Sequence, residues 1–204
     1  MGVTYSSESA GRTHDQRIQL TYYDCVRIVE CFEKHKFHLL TDADGLASLF
    51  LAAFGHERMM SSEIAFILSS FQTSFLEDNK YIYTQEVLAT LILLCDAPWP
   101  KRAALLFLIF RTIGTEEMGH EDFILASQIV AVALCRLWKA PKWNSKTMTT
   151  LTEAIADNAY TKLEKDIDDL VDCNGFVAWA TDRFRESKTI ASSDALKSLY
   201  MLPV

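Results

Sequence analysis

Residues 163–180 have the sequence Leu163-Glu-Lys-Asp-Ile-Asp-Asp-Leu-Val-Asp-Cys-Asn-Gly175-Phe-Val-Ala-Trp-Ala180, in which an acidic run separates apolar residues on either side. Before this run, apolar residues recur at spacings of three and four, at Met148, Leu151, Ile155 and Ala159. Such spacing is typical of a helix with one buried face. The stretch therefore predicts a helix, a polar loop and a second helix.

Three earlier parts of the chain show the same order of apolar stripe, polar loop and second helix. The stripes are Tyr22, Val26, Val29 and Phe32; Ile64, Ile67, Leu68 and Phe71; and Ala103, Phe107 and Phe110. The second helices of the four units are expected to begin near Gly45, Thr84, His120 and Gly175. Four tandem helix-loop-helix units predict an all-α fold. A short amphipathic C-terminal helix, capped by Ser193, is predicted after them.

The composition agrees with long helices and limits the possible functions. The chain has 204 residues, 50% of them hydrophobic, with only seven Gly and four Pro, so it can bury a sizeable core. Its net charge of -7 gives no overall basic field for nucleic acid or an anionic membrane. Its longest apolar runs are too short for a transmembrane segment. Five scattered cysteines indicate reduced, buried thiols, so we expect a cytoplasmic protein.

The order of the units predicts four regions. Residues 1–19 form a flexible N-terminal tail, residues 20–97 the first pair of units, residues 98–187 the second pair, and residues 188–204 the C-terminal helix and tail. The length suits either one domain or two small lobes that share a core.

The fourth loop retains part of a calcium-binding pattern. A twelve-residue calcium loop needs oxygen ligands at positions one, three, five and nine, Gly at six, an apolar residue at eight and a bidentate Glu at twelve. Counted from Glu164 to Gly175, the loop keeps four candidate ligands: Glu164, Asp166, Asp168 and Asp172. It has Asp169 at the sixth position and Gly175 at the twelfth. A weak calcium site and a solvated acidic loop are both open interpretations.

The other three loops have lost more of the ligands. Counted from Glu33 to Asp44, with Leu40 eighth, the first loop has Phe37 at a ligand position. In the second loop, counts from its two flanking helices disagree by three residues, which indicates an insertion. The third loop begins with Arg111, a cation where calcium needs a carboxylate. We expect no calcium at these three loops.

With these four units, the chain resembles a degenerate member of the four-EF-hand group that includes calaxin, neuronal calcium sensors and calcineurin B-like proteins. The resemblance covers roughly residues 21–184. It is carried by Leu40-Thr-Asp-Ala-Asp-Gly-Leu-Ala-Ser-Leu-Phe50 with Ala53-Phe-Gly55, by Tyr81-Ile-Tyr-Thr-Gln-Glu86 and by Gly175-Phe-Val-Ala-Trp-Ala180. The first of these is most similar to calaxin.

The resemblance implies two lobes, each pairing its loops through short strand contacts. These contacts would lie around Leu40 with Ile82 and around Met118 with Val171. It also implies apolar grooves that hold a partner helix. The similarity to calaxin implies dynein-arm docking in the axoneme of a cilium or flagellum, with a dynein-docking subunit or tubulin as the partner.

A basic, aromatic segment between the third and fourth units is the candidate partner-binding site. Its residues are Arg136, Trp138, Lys139, Lys142, Trp143 and Lys146. They would suit an acidic partner, such as a tubulin tail or an acidic helix, because Trp and Arg dominate interface energetics. In the alternative interpretation, the two Trp side chains pack on the chain itself and the cations are solvated.

The remaining motifs concern lipidation and catalysis. The N-terminus fits the N-myristoylation pattern at Gly2, and membrane contact is expected only if Gly2 is acylated. No catalytic motif is found, and His35 and His38 have only Cys31 nearby, too few ligands for a closed zinc site. We therefore expect a non-catalytic adaptor without a cofactor. The alternative is a calcium-responsive sensor, with or without a myristoyl group, that uses only the fourth loop.

Overall fold

The computed structural model of the protein describes residues 20–35, 40–55, 82–111, 115–137 and 145–188. In these ranges the chain is mostly helical. The helices are α1 (Tyr22–His35), α2 (Ala43–Phe54), α3 (Thr84–Leu94), α4 (Trp99–Phe110), α5 (His120–Leu137), α6 (Ser145–Lys162) and α7 (Cys173–Lys188). Four two-residue strands lie between them: β1 (Leu40–Thr41), β2 (Ile82–Tyr83), β3 (Glu117–Met118) and β4 (Val171–Asp172).

The all-α prediction is confirmed at this level, and the predicted helix starts lie close to the observed ones. The helices α3 and α5 begin at Thr84 and His120, as predicted, while α2 and α7 begin two residues before Gly45 and Gly175. The N-terminal tail, the apolar stripe from Ile64 to Phe71 and the C-terminal helix lie outside the described residues. The helix, loop and helix from Ser145 to Lys188 are therefore described throughout, the corresponding first and third stretches without residues 36–39 and 112–114, and the second only from Ile82 onwards.

The four strands form two antiparallel pairs, β1 with β2 and β3 with β4. In the second pair Met118 lies opposite Val171, as the resemblance implied. In the first pair Thr41, not Leu40, lies opposite Ile82. The eighth position of the first loop is therefore Thr41, one residue later than the predicted Leu40. Thr41 is buried there, although the loop pattern calls for an apolar residue at that position.

One hydrophobic core joins the two halves of the chain. Phe50 of α2 and Phe107 of α4 are almost completely buried in the same cluster as Phe123 of α5 and Phe176 of α7. The ring of Phe123 packs edge-on against those of Phe176 and Trp179, with centroids 5.3 and 5.5 Å away. Burial of each such ring contributes roughly 1.5–3 kcal/mol.

Polar contacts through this core fix the helices relative to one another. Gln85 Nε2 donates to the carbonyl of Ile109 at 2.7 Å, so the start of α3 caps the end of α4. Trp99 Nε1 donates to the carbonyl of Ala180 at 2.9 Å, which ties the start of α4 to α7. These side chains satisfy groups that would otherwise be buried without a partner.

Candidate functional site

The fourth loop begins with a helix-terminating turn. Lys165 N donates to the carbonyl of Tyr160, and Glu164 N donates to that of Thr161, at 3.0 and 3.2 Å. Glu164 has a positive φ of 53°, which completes a Schellman-type end to α6. A calcium loop instead places its tight turn at the sixth position, where Gly is required. Here Asp169 is at the sixth position, and its φ is not positive. The residue of this loop with a positive φ is Glu164, at the first position.

The predicted ligands of this loop do not converge. Glu164, Asp166, Asp168 and Asp172 are all exposed. Asp172 Oδ1 accepts a hydrogen bond from Gly175 N at 2.7 Å, and Asp169 Oδ2 accepts one from Asp166 N at 2.9 Å. Within the described ranges, no group of three or more His, Cys, Asp or Glu side chains is placed to hold a metal.

The first and fourth loops close in the same way. Asp42 Oδ1 accepts a hydrogen bond from Gly45 N at 2.9 Å, as Asp172 does from Gly175 N, and each bond caps the helix that follows. Both caps follow directly on the paired strand residue, Thr41 in one loop and Val171 in the other. The shared spacing Asp-x-x-Gly was visible in the sequence and would have corrected the count in the first loop.

Little space surrounds Gly45 and Gly175, the two glycines whose backbone N–H groups Asp42 and Asp172 cap. A Cβ atom at Gly45 would collide with Thr41 Oγ1, and one at Gly175 would lie 3.1 Å from Val171 Cγ1. Since these contacts are tighter than ordinary van der Waals distances, a side chain at either position displaces its neighbour. At the position where calcium loops carry Glu, both loops therefore have a Gly with little free space around it.

Tyr160 connects the fourth loop to the third. Its hydroxyl donates to the carbonyl of Asp169 at 3.1 Å, and the carbonyl of Met118 lies 3.5 Å away. Burial raises the pKa of Tyr160 to about 12, and the charges of Asp122 and Asp169 act in the same direction. The hydroxyl is therefore neutral at physiological pH and holds the loop pair as a donor.

Arg111, predicted to repel a cation from the third loop, has protein partners. Its Nη2 atom lies 2.6 Å from Glu33 Oε1, and its Nη1 atom lies 3.7 Å from Glu116 Oε1. The guanidinium group is about one-fifth exposed, whereas the Glu116 carboxylate is almost fully exposed. The side chain that opens the third loop thus links it to the end of α1.

The basic, aromatic segment runs from the last turn of α5 to the first turn of α6. Arg136 is in the last turn of α5, and Lys146 is an exposed residue in the first turn of α6. The other four predicted partner-binding residues, Trp138, Lys139, Lys142 and Trp143, lie outside the described residues, as does Gly2. Their contacts therefore stay a prediction.

Two apolar side chains in the fourth loop were not singled out from the sequence. Ile167 is 63% exposed and Leu170 is 48% exposed, between the acidic residues of that loop. The signal available in the sequence was the presence of two apolar residues within a polar run. These side chains give the loop surface a mixed apolar and acidic character.

Comparisons of the chain with protein-family models, curated proteins and solved structures give no match. None of the described helices has the length and apolarity needed to cross a membrane.

Proposed function

We propose that this chain is a non-catalytic EF-hand-like adaptor that has largely lost calcium binding. In this proposal four EF-hand-like units form two lobes over a common core. The adaptor docks a helical or filamentous protein and serves as a structural part of a ciliary or flagellar axoneme. No cofactor takes part.

The observation that carries the proposal is the closure of the first and fourth loops by protein atoms. Asp42 and Asp172 cap Gly45 and Gly175, directly after the residues that pair the strands. A loop held by such a cap keeps its shape without a cation. Paired loops on a shared helical core supply a docking scaffold, and a fold can keep its scaffold after losing its original site.

The charge arrangement in the third loop supports the same proposal. Arg111 occupies the first ligand position and is paired with Glu33 from α1. A cation at that loop would meet a fixed positive charge, so this loop contributes no calcium response. The link between α1 and α4 also favours a rigid scaffold over one that opens.

The partner is expected to bring acidic groups to the basic, aromatic segment between α5 and α6. Trp and Arg side chains anchor interfaces well, and the segment concentrates them in an otherwise acidic chain. A dynein-docking subunit or the acidic tail of tubulin has the required chemistry. The axonemal placement rests on the resemblance to calaxin.

Calorimetric titration of Ca²⁺ into the full-length protein tests the loss of calcium binding. We expect no specific heat, either for the unmodified protein or for the double variant Asp166→Ala, Asp168→Ala. The competing function is the calcium-responsive sensor, for which the four exposed carboxylates of the fourth loop are the favouring observation. A micromolar site that this double variant abolishes would establish the sensor and exclude the adaptor as proposed.

Affinity capture from ciliary extract tests the partner. Dynein-arm docking subunits or tubulin should be retained, and the double variant Lys142→Glu, Trp143→Ala should release them. Lys34→Glu is the matched control, since Lys34 is an exposed cation on α1, far along the chain from the segment. If the control releases the partner equally, or if neither class of protein is retained, the axonemal placement fails. Mass spectrometry of the native N-terminus decides whether Gly2 carries a myristoyl group.

A further inference from the structure

Two cysteines from distant parts of the sequence meet in the core. Cys25 lies in the first half of α1, and Cys95 directly follows the last residue of α3, as its C-cap. Only 2% of Cys25 and none of Cys95 is exposed. Both residues converge on one carbonyl: Leu91 O accepts from Cys95 N at 2.9 Å and from Cys25 Sγ at 3.7 Å.

The neighbouring backbone holds this pair in register. Thr21 and Asp96 form an isolated parallel bridge, and Asp96 N donates to the carbonyl of Leu20 at 3.2 Å. The start of α1 is thereby fastened beside the turn that follows α3. A disulfide needs such close and constrained backbone positions, because its geometry tolerates little deviation.

The charge environment makes the two thiols unequal. Their mutual hydrogen bond raises the pKa of Cys25, and burial acts in the same direction. The same hydrogen bond lowers the pKa of Cys95 against the effect of burial, and the positive charge of Arg102 adds to the lowering. Arg102 is held in place by hydrogen bonds to the carbonyls of Ala97 and Leu93, at 2.7 and 2.8 Å.

We propose that Cys25 and Cys95 form an intramolecular disulfide when the protein meets a hydroperoxide. The Cys95 thiolate attacks the peroxide, the O–O bond breaks, and Cys95 becomes a sulfenic acid while an alcohol or water leaves. The Cys25 sulfur then attacks the Cys95 sulfur, the S–O bond breaks, and the leaving hydroxide takes the Cys25 thiol proton and departs as water. Two thiols are oxidised for each peroxide reduced, and a dithiol reverses the step.

Access to the pair requires only local opening. Cys25 lies near the start of α1 and Cys95 lies just after the end of α3, and helix ends open at lower free-energy cost than core segments. Once formed, the crosslink ties α1 to the connection between α3 and α4. It closes a long loop of chain, so the oxidised protein should unfold at a temperature higher by about 5–15 °C.

Peptide mapping of the full-length protein tests the proposal. The reduced protein is treated with hydrogen peroxide, free thiols are alkylated, and the digest is analysed by mass spectrometry. We expect a peptide pair joined through Cys25 and Cys95, which separates on treatment with dithiothreitol. A link between any other pair, or two unlinked thiols at peroxide doses that oxidise Cys31 and Cys173, would overturn it.

Thermal unfolding provides a second readout with matched controls. Peroxide should raise the unfolding temperature of the unmodified protein and of the double variant Cys31→Ser, Cys173→Ser, whose altered thiols are only half-buried. The shift should vanish in Cys95→Ser. Where a serine at either core position prevents folding, the peptide map of the unmodified protein decides the question by itself. An unchanged unfolding temperature in linked protein would contradict the proposed constraint on α1.

Discussion

Arg111 Nη2 lies 2.6 Å from Glu33 Oε1, so the first residue of the third loop is ion-paired with the last turns of α1. The two residues are 78 positions apart in the sequence and belong to different predicted pairs of units. The contact joins the halves of the chain at the ends of two helices. It also gives Arg111 a structural role that its position in the loop pattern did not indicate.

A double-mutant cycle with Glu33→Gln and Arg111→Gln should give a coupling free energy of about 0.5–1 kcal/mol. Both side chains are partly exposed, and solvent screening keeps the value below that of a buried pair. Urea unfolding of the four proteins provides the measurement. Glu116→Gln is the control, because its almost fully exposed carboxylate lies 3.7 Å from the same guanidinium and should change stability by less than about 0.5 kcal/mol. A coupling of zero would show that the pair adds nothing to stability.

Loss of the loop caps should destabilise the protein without a metal being involved. Asp42→Ala and Asp172→Ala each remove an acceptor from the helix start that they cap, at a cost of about 1 kcal/mol. Asp168→Ala removes an exposed carboxylate of the same loop as Asp172 and should cost less than about 0.5 kcal/mol. Chemical unfolding in the presence of a chelator measures all three. Equal effects at Asp168 and Asp172 would contradict the capping role.

The strand pairs and caps show how far the sequence predicts this fold. The apolar spacing located α4 and the starts of α3 and α5, because burial imposes that spacing directly. The loop count put Leu40 instead of Thr41 at the eighth position, because the calcium-loop pattern asks for an apolar residue there and does not include the Asp42 cap one residue later. Tertiary contacts decided that register.

The candidate site was harder to predict than the helices. The acidic composition of the fourth loop suggested ligands, but it did not indicate the backbone turn at Glu164 or the cap that Asp172 forms with Gly175 N. The pairs Arg111 with Glu33 and Cys25 with Cys95 join residues far apart in the chain. Such pairs follow from the packing of α1 against α3 and α4, which no local pattern encodes.

Alanine substitution should rank the glycines by the space around each one. A Cβ at Gly45 collides with Thr41 Oγ1, one at Gly175 meets Val171 Cγ1 at 3.1 Å, and one at Gly119 has no neighbour closer than 3.8 Å. We expect costs of about 2–3 kcal/mol at Gly45, about 1–2 at Gly175 and less than about 1 at Gly119, measured by urea unfolding.

A second substitution separates steric crowding from other effects at Gly45. Thr41→Ala removes the oxygen that the new Cβ would meet, so the pair Thr41→Ala, Gly45→Ala should recover part of the stability lost in Gly45→Ala alone. Strictly additive losses would mean that the crowding at Thr41 is not the cause.

Tyr160 should make stability depend on pH in the alkaline range. Its pKa rises from 10 to about 12 on folding, because burial and the nearby carboxylates disfavour the phenolate. The unfolded chain therefore releases the proton first, and the stabilisation, present in full below pH 10, is lost as the pH rises from 10 towards 12.

Two pKa units correspond to about 2–3 kcal/mol. Tyr160→Phe removes the titrating group, so the fall in its unfolding free energy between pH 9.5 and 11.5 should be smaller by about 1.5–2 kcal/mol, the part of that total lost within this window. Urea unfolding across this range compares the two proteins, with Tyr23→Phe as the control, because Tyr23 is 75% exposed. Parallel pH profiles for the unmodified protein and Tyr160→Phe would exclude a buried, neutral hydroxyl at the junction of the third and fourth loops.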